Sequence, residues 1–323
     1  MRTSSFLSIC MSGCLALCAG CNDKNKAKEP VEKPDTVAEA PKPAEPAKAV
    51  EPAKPKALEY SAENAAKLIG DMEKCEYDFN CKAYKPLLSF GNKVSVDLAK
   101  FAADGAKPQK ARAIAAKALI TIKDPAVGKQ MLEAAKKEKD FMLRDKLYSA
   151  AAAGGSDEVF AALTNLYLSK AGKEHQMQLR AGIRLYQKKA LDWAIEKLPK
   201  TKKGQQVEVA DIIVDLANKD SLKAIQDLIP KVKDIMARHR LASKAIAMGD
   251  NGKFDILIKG LKSRDQYDRS DAANFMAGVV KQLPEDKKAE VIKLLKAAKK
   301  KDRGGLTAMG YNKCLKVLEG GAK

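Results

Sequence analysis

One stretch, Asp220 to Asp250, recurs along this chain and limits what it can fold into. It reads as two short helices with a turn near Lys231–Lys233. Leu222, Ile225, Leu228, Ile229 and Val232 take the spacing of one apolar helix face. Leu241, Ala242, Ala245 and Ile246 form a similar stripe, and Gly249 ends the second helix. Two such helices cannot bury both faces against each other, so the unit needs neighbours of its own kind. About seven copies begin near Lys93, Pro125, Ser156, Ala190, Asp220, Gly252 and Glu285, in steps of 30 to 34 residues. A period near 32 that drifts this little predicts an all-α chain, an α-solenoid of about seven helix pairs.

The second helix of most units carries an arginine near its start: Arg112, Arg144, Arg180, Arg238 and Arg269, with Glu208 in that place in the fourth unit. Three of them follow an aspartate at i−4, giving Asp140 with Arg144, Asp234 with Arg238, and Asp265 with Arg269. An acid and a base one helical turn apart share a face and are expected to pair. The acid also sits where the helix dipole favours it. This Asp-x-x-x-Arg feature before an alanine-rich helix resembles the HEAT-repeat family, above all the short bacterial HEAT-like variants of phycobilin-lyase-type proteins. The resemblance covers residues 93–323. It implies a right-handed superhelix in which the turn Asp and the helix Arg link neighbouring units. A tetratricopeptide array is the alternative, although its Trp, Gly, Tyr and Pro positions do not recur.

Residues 1–20 read as a targeting segment. Arg2 is a short basic start, and Phe6–Leu17 is too short an apolar run to span a membrane. Leu17-Cys18-Ala19-Gly20-Cys21 resembles a bacterial lipobox, which implies cleavage before Cys21 and its acylation. Cys14 is a competing site, and an ordinary cleaved signal peptide is the alternative. Asn22 after the cysteine, by the rule for such lipoproteins, implies outer-membrane retention. Residues 21–57 are a tether without a fixed fold: Pro recurs among Ala, Lys and Glu, and 8 basic residues nearly cancel 7 acidic ones. Extended at ~3.1 Å per residue it reaches on the order of 100 Å.

Residues 58–92 form a helical cap before the repeats. Ser61 is placed as an N-cap for a helix carrying Ala65, Leu68, Ile69 and Met72, and a second helix falls around Pro86–Gly91. Export to an oxidising compartment makes Cys75 and Cys81 a candidate disulfide. Cys314 reads as a buried small apolar group. Of seven cysteines, Cys10, Cys14 and Cys18 leave with the leader. The two histidines, His175 and His239, have no ligand spacing around them, so neither metal nor cofactor is expected. Each reads as a polar residue on a helix. The carboxylates read as scattered over polar faces, and Trp193 as core of the fourth unit. No phosphate loop or catalytic constellation is present; the Gly154-Gly155 and Gly304-Gly305 pairs sit at helix ends.

Charge is the informative surface property. From Ala57 onward 51 Lys and Arg face 34 Asp and Glu. Much of the excess gathers at the turn inside each unit: Lys136, Lys137 and Lys139; Lys170 and Lys173; Lys200, Lys202 and Lys203; Lys231 and Lys233; Lys259, Lys262 and Arg264; Lys299, Lys300, Lys301 and Arg303. In a solenoid, equivalent turns stack along one edge, so these cations would form a basic ridge. They would also offset the helix dipoles and keep the surface soluble. Nucleic acid is a poor candidate, because export removes the chain from it and no aromatic residue is interleaved with the ridge. Together these features lead to the expectation of a non-enzymatic, lipid-anchored adaptor of the bacterial cell envelope, facing the periplasm and binding a protein partner. The alternative is a binder of anionic envelope material, lipid phosphate or acidic polymer, along the ridge.

Overall fold

Among the described residues, five α-helix starts are set by a side chain, Ser61, Asp140, Ser156, Asp234 or Asp265, that caps a free backbone amide. The computed structural model describes residues 58–302 and 305–320, and these are all-helical. Ser61 accepts from the Asn64 amide at 3.0 Å and opens α1 (Ala62–Asp71), which is followed by α2 (Tyr84–Ser89). Then come α3 (Ser95–Ala103), α4 (Gln109–Ile122), α5 (Gly128–Lys137), α6 (Phe141–Ala153), α7 (Asp157–Tyr167) and α8 (Gln176–Arg184). The chain continues with α9 (Lys188–Lys197), α10 (Gln206–Leu216), α11 (Leu222–Leu228), α12 (Ile235–Ala247), α13 (Phe254–Leu261), α14 (Gln266–Val279), α15 (Glu285–Lys301) and α16 (Gly305–Leu318). From α3 on, the first helix of each pair begins within three residues of the unit start read from the sequence. The expected leader, the expected acylation site at Cys21 and the expected tether through residue 57 lie outside the described residues, as does Arg303.

The sixteen helices pack in a row. Each odd helix from α3 packs on the even helix that follows it, and each even helix from α4 packs on the next even one as far as α16. Alanines fill the contacts between the even helices: Ala115 and Ala118 on α4, Ala151 on α6, Ala242 and Ala245 on α12, Ala272 and Ala273 on α14 are fully or almost fully buried. Small side chains there keep neighbouring helices in dense contact without voids. Gly249, at φ +110°, ends α12 by turning the chain so that its amide and that of Asp250 donate to the Ile246 and Ala245 carbonyls at 2.8 and 3.0 Å.

The apolar core consists of two clusters that meet on α12. Leu241 and Ala245 belong to the first, which reaches back to Ala65; Ala242 and Ile246 belong to the second, which runs on to Leu315. Cys314 is buried in the second, its Sγ 3.4 Å from the Ala273 carbonyl, and burial pushes its thiol up to about 12. Trp193 is only half-buried, packing edge-on to Phe160 of α7 at 6.2 Å. With Leu191 and Ile195 it packs against the first core cluster, as expected, and its ring also reaches the preceding unit. Cys75 and Cys81 form a disulfide with Cα atoms 5.2 Å apart. Among the described residues, no helix is long and apolar enough to cross a membrane.

Candidate functional site

The repeated aspartates and arginines do not pair within their own helices. Asp140 accepts from the Leu143 amide at 2.8 Å, Asp234 from Ala237 at 3.0 Å, and Asp265 from Tyr267 and Asp268 at 2.7 and 3.1 Å. Each carboxylate is therefore an N-cap, and no ion pair joins it to Arg144, Arg238 or Arg269. Capping wins because the amides are fixed beside the carboxylate, whereas the arginine must curl back a full turn to reach it.

Two arginines instead reach forward to an acid in the turn of the next unit, and a third, Arg180, reaches acids on the next even helix. Arg112 donates from Nε to the Ala102 carbonyl at the end of α3 at 2.9 Å and from Nη2 to Glu138 at 2.7 Å. Glu138 in turn accepts from the Lys139 and Asp140 amides at 2.9 and 3.0 Å. Burial alone would raise the Glu138 carboxyl, but these amides and the Arg112 charge outweigh it and hold the group low. Arg269 repeats the pattern at the other end. Its Nη1 donates to the Ser263 and Arg264 carbonyls, both at 2.7 Å, while Nε and Nη2 grip Asp302. Tyr311 of α16 also donates to Asp302, at 2.7 Å.

In the fourth unit one neutral residue does both jobs. Gln206 is wholly buried; its amide nitrogen donates to the Leu198 carbonyl at 3.1 Å, and its carbonyl accepts from the Lys233 and Asp234 amides at 2.9 and 2.8 Å. The carboxylate of the residue expected in that place, Glu208, receives a long bond from Gln176 at 3.4 Å, and its backbone carbonyl accepts from Tyr167 at 3.0 Å. Arg144 and Arg238 make no link forward, and the Nε of each is buried without a partner.

A second network runs along the even helices. On α8, Arg180 grips Asp215 of α10 through Nε and Nη2, both at 2.6 Å, and touches Asp211 at 3.1 Å. Asp211 also accepts from Arg240 of α12 at 2.7 Å, and Arg240 lies 3.7 Å from Asp271 of α14. Asp271 is bonded to His239 Nδ1 at 2.9 Å. Successive members sit 29 to 31 residues apart, with signs that alternate from one helix to the next. The carboxylates expected on polar faces thus include buried ones, Asp271 and Asp302, and His239 is only 2% exposed. His175 precedes α8 in a single 3-10 turn and meets Tyr148 Oη at 2.8 Å; burial, helped by the Arg144 charge, holds its imidazole below the usual value.

The sixteen turn cations from Lys136 to Lys301 are all exposed. Among the described residues only Lys136, Lys200 and Lys262 of these are ion-paired, to Glu133, Glu196 and Glu290. Beside the turns lies a feature not read from the sequence. Met142, Met177, Met236 and Tyr267 are each the second residue of an even helix (α6, α8, α12 and α14) and are 37 to 65% exposed. Their register was legible in the repeat, but only the structure shows that this position faces outward.

A cleft of about 610 Å³ opens among α11, α12 and α13, and Arg238, His239, Lys259 and Ser263 line it. Ser263 donates to Asp268 at 2.9 Å and not to His239, so no Ser–His pair is formed there. Among the described residues, no three His, Cys, Asp or Glu side chains are grouped to hold a metal ion. No family model matches this chain, and no curated protein is significantly similar to it.

Proposed function

We propose that this chain is a non-enzymatic adaptor of the bacterial cell envelope, anchored through acylated Cys21 and the tether that follows. In this reading its helix pairs form a HEAT-like solenoid that binds a protein partner. The observation that carries it is the recurrence of exposed Met142, Met177, Met236 and Tyr267 at one position of four even helices, α6, α8, α12 and α14; α10 between them has partly buried Val207 there. α6 packs on α8 and α12 packs on α14, so the four side chains make two adjacent pairs, one on each side of α10, beside the turn cations. Exposed apolar residues at a repeated position mark interaction surfaces, and methionine adapts its shape to a partner. Lysines around such pairs suit an amphipathic segment of a partner protein that carries acidic residues. The anchor and the periplasmic address rest on the leader sequence alone.

Site-specific photocrosslinking in cells tests this reading. A crosslinker at Met177 or Met236 is expected to trap a defined protein, and one at exposed Lys223 on α11 is not. Recovery of no protein above a tether-only control would sink the adaptor. The second reading, binding of anionic envelope polymer or lipid phosphate along the turns, draws on the thirteen described turn cations that have no ion-pair partner among the described residues. Salt separates the two. Purely ionic binding falls steeply as salt rises, and an apolar contact persists.

A further inference from the structure

We propose that the cleft among α11, α12 and α13 binds a small amphipathic carboxylate, an aliphatic chain ending in a single acid group. The cleft measures about 610 Å³, well inside the range of roughly 300–1,000 Å³ typical of small-molecule sites. Ile229, Pro230, Ile235 and Ile256 give it apolar walls on three helical segments. Such walls suit a hydrocarbon body and offer nothing to a sugar or a base edge.

Arg238 supplies the polar end. Arg112 and Arg269, at the same position of α4 and α14, are saturated by carbonyls and an acid from the next unit. Arg238 makes no such bond, its Nε is buried without a partner, and its local acid Asp234 is taken by the Ala237 amide. The two terminal nitrogens of the guanidinium have no hydrogen-bond partner among the described residues either, and a carboxylate from the cleft could accept two parallel bonds from them. The other charges of the cleft limit the ligand to one negative charge. Lys262 is already paired with Glu290 at 2.6 Å. Arg238 and exposed Lys259 then face Asp268, leaving an excess of one positive charge. A dianion such as a phosphate monoester would meet repulsion from Asp268 with no further cation to offset it.

Isothermal titration of the full chain with octanoate, octan-1-ol and octylamine tests the assignment. Octanoate is expected to bind saturably at one site, with the alcohol and the amine at least about tenfold weaker. Arg238→Met, which keeps the apolar volume, is expected to lower octanoate affinity about tenfold while helicity is retained. Lys259→Glu, at an exposed position, is expected to weaken octanoate in the same direction and decides the matter if Arg238→Met does not fold. The assignment is overturned by absence of saturable octanoate binding or by octylamine binding as tightly as octanoate. It is also overturned by unchanged octanoate affinity in folded Arg238→Met, or in Lys259→Glu where that variant must stand in.

Discussion

Asp302 lies 33 residues beyond Arg269 and is held by it through Nε at 2.9 Å, with both residues only 4% exposed. The pair joins two consecutive units through a contact that neither could make alone. Removing one member strands the other as a buried charge, which is far more costly than loss of a surface pair.

Arg269→Ala is therefore expected to cost about 3–5 kcal/mol. Arg238→Ala, by contrast, removes a guanidinium that has no protein acceptor, and it should change stability by no more than about 1 kcal/mol. Urea titrations of both variants check the contrast. Equal losses would show that the forward-reaching bonds of Arg269 contribute nothing beyond ordinary helix packing.

The same pair makes a prediction about acid. The Arg269 guanidinium and then the Tyr311 hydroxyl hold the Asp302 carboxyl below its ordinary value of 3.8. Between the lowered folded value and 3.8 the unfolded chain binds more protons, so this contribution is complete above about pH 4 and is lost as pH falls further. Asp302→Asn does not titrate there. The stability gap between wild type and Asp302→Asn should be widest near neutrality and shrink as pH drops below about 4. Denaturant midpoints at pH 7, 4 and 3 measure it, and a gap independent of pH would refute the linkage.

Gln206 offers a test of how one neutral side chain replaces a charged pair. Gln206→Ala leaves the Leu198 carbonyl and two amides, those of Lys233 and Asp234, without their side-chain partner, at about 1–3 kcal/mol for each buried group so stranded. Gln206→Arg should not rescue it, because an arginine donates but cannot accept from those amides. Hydrogen exchange at the Lys233 and Asp234 amides is expected to quicken in both variants. Unchanged protection would show that the amides do not depend on this side chain.

Much of this architecture was legible in the sequence because its causes are local. Apolar spacing such as Leu222, Ile225 and Leu228 and caps such as Ser61 act within a helix or a turn, and the period then repeats them. The partners of the arginines were not legible. Reading Asp234 with Arg238 assumed that the nearest opposite charge is the partner, but the amide of Ala237 takes the carboxylate first. Glu138 and Asp302, the true acceptors, sit in turns whose geometry exists only once the next unit has folded. Column by column, the repeat had already placed Arg180, Asp211, Arg240 and Asp271 at 29 to 31 residue steps. Following arginines alone hid the change of sign. The cleft could not be foreseen at all, since it lies between segments of two consecutive units.

That alternation of sign constrains how such an array can lengthen. If the stretch carrying α11 and α12 were copied once in tandem, Arg240 would face a second arginine at the corresponding position, where Asp271 now stands. A copy spanning two consecutive pairs keeps plus beside minus throughout. In the stretch from α8 to α14, then, inheritance by duplication is electrostatically favoured in steps of two units, and a lineage that gained a single unit would need a compensating charge reversal beside it.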